Sequence, residues 1–281
     1  MTIRTMRESD LAFAAESTAI ENWPSETREA FANALAYDPA GCLVAEHDGR
    51  PVGIIVAVAY RNSGFIGELV VRRDARGRGI GPRLLERAIE YLKTRNAEAI
   101  FLDGVERAAP FYESIGFRRV CRSLRFLGRI EGRPYSALRP MRREDLEDVC
   151  RLDRDAFGDD RSYFLERRLA LYPGFAKVLE SESRIAGFIL GIQGRGLVAA
   201  GPWVARAETE RPMALLEGLA LETGSLPLRI GVLETNVRAA ESLRGLGGLQ
   251  PQRSSWRMVL GTGDRLGNSP LCWAVGSPAK G

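Results

Sequence analysis

Lysine and histidine are almost missing from this sequence. Of its 40 basic residues only Lys93, Lys177 and Lys280 are lysines, and His47 is the single histidine. One histidine excludes a His-rich metal site or a His-based triad, and its place beside Asp48-Gly49 reads as a surface turn. The four cysteines, Cys42, Cys121, Cys150 and Cys272, are far apart and form no CxxC pair. Neither a zinc site nor a disulfide framework is implied, and a reducing cytoplasm is the expected location. No apolar run reaches the ~18 residues of a membrane span. The first ten residues lack an apolar signal core, so neither membrane insertion nor export is expected.

What is there suits a soluble globular chain long enough for two ordinary domains: 281 residues with a net charge of +4. The arginines are scattered among 36 acids rather than blocked, so no nucleic-acid partner is expected. The nearest basic stripe, Arg118-Arg119-Val120-Cys121-Arg122-Ser123-Leu124-Arg125-Phe126, alternates as a strand with one solvated face.

Residues 65–117 carry the chemistry. An apolar run at 65–71 is followed by Arg76-Gly77-Arg78-Gly79-Ile80-Gly81, an amphipathic stretch from Pro82 to about Arg95, and a second apolar run at 99–103. Strand, glycine turn, helix and strand are expected. Glycines let backbone amides converge without Cβ obstruction, and the helix beginning at Pro82 adds its positive end, so a pyrophosphate is the natural ligand.

The rest of the chain is arranged around that turn. Ser9 or Asp10 is placed to cap a helix starting near Leu11. A second helix is expected over about 26–37, and Asp48-Gly49 marks a hairpin between apolar strands at 42–46 and 51–60. Residues 118–127 read as a further strand, and the Gly/Pro-rich stretch that follows reads as a linker. Beyond it the chain starts again. Leu138-Arg139-Pro140-Met141-Arg142-Arg143-Glu144-Asp145-Leu146 mirrors Ile3-Arg4-Thr5-Met6-Arg7-Glu8-Ser9-Asp10-Leu11, at an offset of about 134 that drops to about 131 after the glycine turn. This is a duplicated domain rather than a short repeat. The second copy shortens at the turn and has Arg206-Ala207-Glu208-Thr209-Glu210-Arg211-Pro212, with no glycine and two glutamates.

Three patterns compete for the turn. A P-loop needs Gly-Lys-Ser/Thr, but Gly81 is followed by Pro82-Arg83. A dinucleotide turn needs GxGxxG; Gly77, Gly79 and Pro82 miss the third glycine, while Asp103, ~20 residues on, keeps a Rossmann-type nicotinamide oxidoreductase open. The third pattern, Arg/Gln-x-x-Gly-x-Gly/Ala, is met in full. With Phe111-Tyr112-Glu113-x-x-Gly116-Phe117 behind it, this stretch resembles the acetyl-CoA-binding core of the GNAT superfamily of N-acetyltransferases, and the resemblance covers residues 1–130. The whole chain resembles prokaryotic tandem-GNAT proteins, whose second half carries Asp-x-x-x-Phe-Gly-x-x-Arg-Ser, here Asp153 to Ser162.

The resemblance implies two tandem GNAT-like α/β domains, 1–130 and 138–281 with a linker at 131–137. Each would be a mixed, mostly antiparallel twisted sheet flanked by helices, the second degenerate in its cofactor loop. It implies acetyl-CoA as cosubstrate without a metal: Leu69, Val70 and Val71 would pair with the pantetheine, and the amides of Arg76, Gly77, Arg78, Gly79, Ile80 and Gly81 would hold the pyrophosphate. Tyr112 would protonate the leaving thiolate, since a phenol stays neutral at pH 7. Glu68 or a water would deprotonate the amine. Glu21, Asn22 and Trp23 would shape the acceptor pocket, and Asp155 and Asp160 could bind a cationic group, helix capping being the alternative for Asp160. Many relatives have asparagine seven residues before the tyrosine; here that residue is Val105, whereas the second copy keeps Asn236 and has Leu243 for the tyrosine. The expected function is acetyl transfer to a small-molecule amine. A non-catalytic acyl-CoA-binding or regulatory module is the alternative, and oligomeric state, a homodimer included, stays open.

Overall fold

The structure, a computed structural model, describes residues 1–262 and 267–281. Its first half runs β1 (Thr2–Thr5), α1 (Leu11–Ile20), α2 (Arg28–Tyr37), β2 (Cys42–His47), β3 (Arg50–Ala59), β4 (Ser63–Val71), α3 (Ile80–Thr94), β5 (Ala99–Val105), α4 (Ala109–Glu113) and β6 (Arg118–Gly128). The second half repeats that order as β7 (Leu138–Pro140), α5 (Leu146–Phe157), α6 (Ser162–Leu171), β8 (Ala176–Ser181), β9 (Arg184–Gln193), β10 (Val198–Ala205), α7 (Met213–Ala220), β11 (Leu228–Leu233), α8 (Val237–Arg244) and β12 (Leu249–Gly261). A short β13 (Cys272–Ala274) follows. The duplication extends to side chains. Arg4 joins Asp10 and Glu46 at 2.6 and 2.5 Å, and Arg139 joins Asp145 and Glu180, each at 2.7 Å.

Local sequence signals explain most elements. Asp48 and Gly49 both take positive φ, 50° and 70°, as a tight hairpin turn requires. Thr27 caps α2 by accepting from the Ala30 N–H. Asp10 does not cap α1. Its carboxylate accepts from the Arg7 N–H and pairs with Arg4, because a guanidinium within reach outcompetes a helix amide. The helix after the glycine turn starts at Ile80, two residues before Pro82.

The strands form one continuous sheet in the order β1-β2-β3-β4-β5-β12-β6-β11-β10-β9-β8-β7, with β13 beside β10. The halves have exchanged their last strands. β12 pairs antiparallel with β5, and β6 pairs antiparallel with β11. The exchange is pinned from β5 by Asp103, whose side chain is fully buried. It accepts from Arg125 on β6 at 2.7 Å and from Arg257 on β12 at 2.5 Å. Burial alone would push this carboxyl up, but Arg257 and then Arg125 hold it below the usual carboxylate range. The arginines of the basic stripe are similarly engaged: Arg122 pairs with Glu106 and lies 3.7 Å from the centre of the Trp256 ring. In the first half, α3 covers one face of the sheet around Leu84, Leu85 and Leu92, and α1 and α2 cover the other around Ala14 and Phe31.

Candidate functional site

The glycine turn is an open cradle. Gly77 and Gly79 have φ of 78° and 72°, a conformation that costs other residues about 1–2 kcal/mol. A Cβ at either position would meet nothing, so the glycines serve backbone geometry, not packing. Gly79 is the N-cap of α3 and supplies no side-chain cap, which leaves the first amides of that helix available to an anion. Ile80 is buried and anchors the turn, Gly81 is half-buried, and Arg76 and Arg78 are exposed. Arg76 turns back, donating to Val71 O at 2.9 Å and to Glu21 at 2.6 Å.

Beside the cradle the sheet opens. Parallel pairing of β4 with β5 runs from Ser63↔Ala99 to Ile66↔Leu102 and stops. At that point β4 bulges: Gly67 faces Val56 and Val70 faces Ile54, so Glu68 and Leu69 together oppose the single residue Ile55. Glu68 takes φ of 49°, a strained conformation that turns its side chain out of the strand's alternation. Tyr112, on α4, packs against Phe111 and Phe117 on the other bank of the opening. Gly104 makes room for it, since a Cβ there would lie 3.0 Å from the ring. Burial pushes the Tyr112 phenol up to about 12.

Glu68 is only 3% exposed. Its Oε1 accepts from Lys280 Nζ at 2.7 Å, while Oε2 is buried without a hydrogen-bond partner among the described residues. Lys280 also reaches Glu26 at 3.4 Å. Burial pushes Glu68 up to about 8, with Lys280 opposing and the Glu26 carboxylate reinforcing the rise. Burial works against the charge of Lys280, but the two glutamates hold its pKa above the ordinary value.

The remaining sequence candidates are dispersed. Glu21 pairs with Arg76 and with Arg107, the latter at 3.2 Å. Asn22 is exposed, with φ of 59°. Trp23 packs against the core of the first half, and its carbonyl accepts from Arg195 at 2.6 Å. Asp155 is exposed. Asp160 accepts from the Ser162 N–H at 2.9 Å, at the start of α6. Within the Asp-x-x-x-Phe-Gly-x-x-Arg-Ser segment, Arg161 binds Asp153 through two bonds of 2.8 and 2.9 Å, stacks on Phe157 and donates to Gly281 O at 2.7 Å. That segment therefore clamps the stretch carrying Lys280. Asp159 ties the halves together by accepting from Arg61, Asn62 and Ser63. Glu26 and Lys280 were not singled out by sequence; Lys280 being one of three lysines was the only available hint.

The second half has the same opening and fills it. Pairing of β10 with β11 stops at Ala200↔Ile230. Beyond it β13 enters, pairing Trp203↔Ala274 and Val204↔Cys272, and the Val275 N–H donates to Gly231 O at 2.8 Å. Asn236 secures this insert by donating to Pro270 O and Cys272 O at 3.1 and 3.0 Å. The asparagine that the second copy kept thus serves the chain's own backbone. Asp103, sealed between two arginines, has no exposed surface for a ribose hydroxyl, and this removes the support for a dinucleotide turn.

Comparison with known proteins agrees with this geometry. Residues 7–117 match the acetyltransferase (GNAT) family model, and residues 149–269 match a second acetyltransferase (GNAT) domain model. The chain is 39% identical over 90 residues to an uncharacterized N-acetyltransferase of Methanocaldococcus jannaschii, covering 28% of this chain and 40% of that protein. It is 25% identical over 187 residues to the uncharacterized N-acetyltransferase YitH of Bacillus subtilis, covering 65% and 64%. The chain thus spans less than two thirds of the length of these relatives. A crystal structure of a putative acetyltransferase from Pyrococcus horikoshii superposes with a TM-score of 0.84 at 25% identity, over 100% of this chain and 95% of that one. The chain belongs to the GNAT acetyltransferase family and carries two such domains in tandem.

Proposed function

We propose that the protein transfers the acetyl group of acetyl-CoA directly to an amine, using one acetyl-CoA per chain bound by the first half. The observation that carries this reading is the contrast between two equivalent openings: β4 and β5 part beside an amide cradle, whereas β10 and β11 part around β13. At Leu69, Val70 and Val71 the side of β4 that β5 leaves unpaired offers backbone groups to the pantetheine amides, with Arg76 giving up the Val71 carbonyl. The amides of the 76–81 loop, at the positive end of α3, receive the pyrophosphate.

The chemistry needs a proton taken from the amine and one given to the leaving thiolate. Tyr112 supplies the second, because burial keeps its phenol protonated at neutral pH. Glu68 accepts the first through Oε2, the buried oxygen with no partner among the described residues. Val105 stands where many relatives have asparagine and offers no side-chain hydrogen bond in its place.

Two measurements test this. Calorimetric titration with acetyl-CoA should give one site per chain. Thiol release should then accelerate with at least one member of an amine panel. Tight binding with no amine acceleration would instead indicate a non-catalytic acyl-CoA module.

A further inference from the structure

A cavity lies between the halves, and its lining includes no residue of the glycine turn. Its lining includes Glu26 and Lys280, both of which touch Glu68, and four arginines: Arg125, Arg167, Arg168 and Arg229. Five cations therefore face one carboxylate. Two of them are already balanced, Arg125 by Asp103 and Lys280 by Glu26 and Glu68. The other three make no close ion pair among the described residues, and the Glu26 carboxylate acts on Arg168 and Arg229 only from a distance. Arg167 meets Asn33 Oδ1 at 3.1 Å, and among the described residues Arg168 donates only to the carbonyls of Gly201 and Gly276. Arg229 lies on β11 and is half-buried, and its guanidinium has no hydrogen bond or ion pair among the described residues.

Guanidinium groups do not collect in a partly enclosed space without a counter-charge unless something else compensates them. Burial, and then the Arg161 charge, brings Arg168 down to about 10; burial, and then the Arg125 charge, lowers Arg229; Glu26 opposes both shifts without cancelling them. Ser25 and the N-cap Thr27, just before α2, and Ala30 in its first turn also line the cavity, and the helix contributes its positive end.

We infer that this cavity is the acceptor pocket and that the acceptor is an amine bearing an anionic group, a carboxylate or a phosphate, held by Arg168 and Arg229. The inference rests on the acetyltransferase reading above and names its substrate class. The anion sits at the arginine end. The amine points to the Glu26–Lys280–Glu68 end, where Lys280 Nζ, at 2.7 Å from Glu68, already shows that an ammonium is accommodated. An arginine pair also fits this task better than lysine, because the planar fork binds carboxylate and phosphate through two bonds.

The test uses matched amines that differ only in the anion: an aminoalcohol against its phosphate ester, and an amino acid against its amide. Initial rates of thiol release are measured for the full chain and for Arg229→Gln, with acetyl-CoA affinity measured separately by calorimetry. The anionic member of at least one pair should be preferred, the phosphate and carboxylate arms telling the two sources apart. Arg229→Gln should raise its KM roughly tenfold to a hundredfold and leave acetyl-CoA affinity unchanged. Inorganic phosphate or acetate should raise the melting temperature of the wild type more than that of Arg229→Gln, independently of activity. Equal rates for neutral and anionic partners, or an unchanged KM in a folded Arg229→Gln, overturn the pocket assignment while leaving acetyl transfer standing. Failure of acetyl-CoA to bind at all overturns the acetyltransferase reading instead.

Discussion

Lys280 Nζ and Glu68 Oε1 lie 2.7 Å apart although 212 residues separate them in the sequence. Glu68 sits on the bulge of β4, and Lys280 arrives on the stretch that first fills the second half's own opening as β13. One segment thus closes one of the two equivalent sites and places a cation against the carboxylate of the other.

Replacing Tyr112 by Phe should separate catalysis from folding. The Tyr112 ring packs between Phe111 and Phe117, and that packing survives the loss of the hydroxyl. The turnover number should fall by roughly 10²- to 10⁴-fold, the usual contribution of a general acid. Acetyl-CoA affinity and thermal midpoint should hardly move. A wild-type rate in the variant assigns the proton to another donor.

The pH–rate profile should report Glu68. A base must be ionised to work, and this carboxyl is pushed up to about 8. The second-order rate constant should therefore rise with pH and level off above about 8. Glu68→Gln should lower the rate and remove that limb. If the limb persists in the variant, the amine or a water accounts for it.

Stability should depend on pH in the opposite sense. Folding raises this carboxyl from an ordinary 4.5 to about 8, so between those values the native state holds a proton that the unfolded chain has released. Stability from this group is complete below the lower value and is lost as pH rises through the upper one. Denaturant titrations across that range should show the decline in wild type, and Glu68→Gln should flatten it. Lys280→Met leaves Glu26 and Glu68 facing each other without their cation. It should cost about 3–5 kcal/mol at neutral pH and extend the decline to higher pH.

Asp103→Asn probes the strand exchange. It leaves Arg125 and Arg257, 5% and 2% exposed, without their shared counter-charge. A loss of about 3–5 kcal/mol is expected in chemical denaturation. Because neither arginine touches the glycine turn, acetyl-CoA affinity of the folded variant should stay near that of wild type. A variant as stable as wild type would mean that strand pairing alone holds β6 and β12 in place.

The loop and Tyr112 were legible because their signals are local. Left-handed backbone at Gly77 and Gly79 can be anticipated from residue type, and the β4–turn–α3 order follows from apolar periodicity. Glu68 was legible as a strand residue and as a candidate base; its bulge is visible only once β3 is aligned against β4. Glu21 illustrates the opposite case. Its position before α2 suggested substrate contact, but a carboxylate within reach of Arg76 and Arg107 pairs with them first.

The sequence by itself determined the duplication, the element order of each half and the single glycine turn, because these depend on short-range pattern and on comparison of the chain with itself. Tertiary structure decided where β6 and β12 pair, what fills the second opening and which cations meet Glu68. An edge strand can add to either neighbouring sheet with similar backbone hydrogen bonds, so the choice falls to distant side chains such as the buried pairs of Asp103. A cavity whose charge comes from β6, α6 and β11 exists only after those elements have been brought together, and no spacing along the chain encodes it.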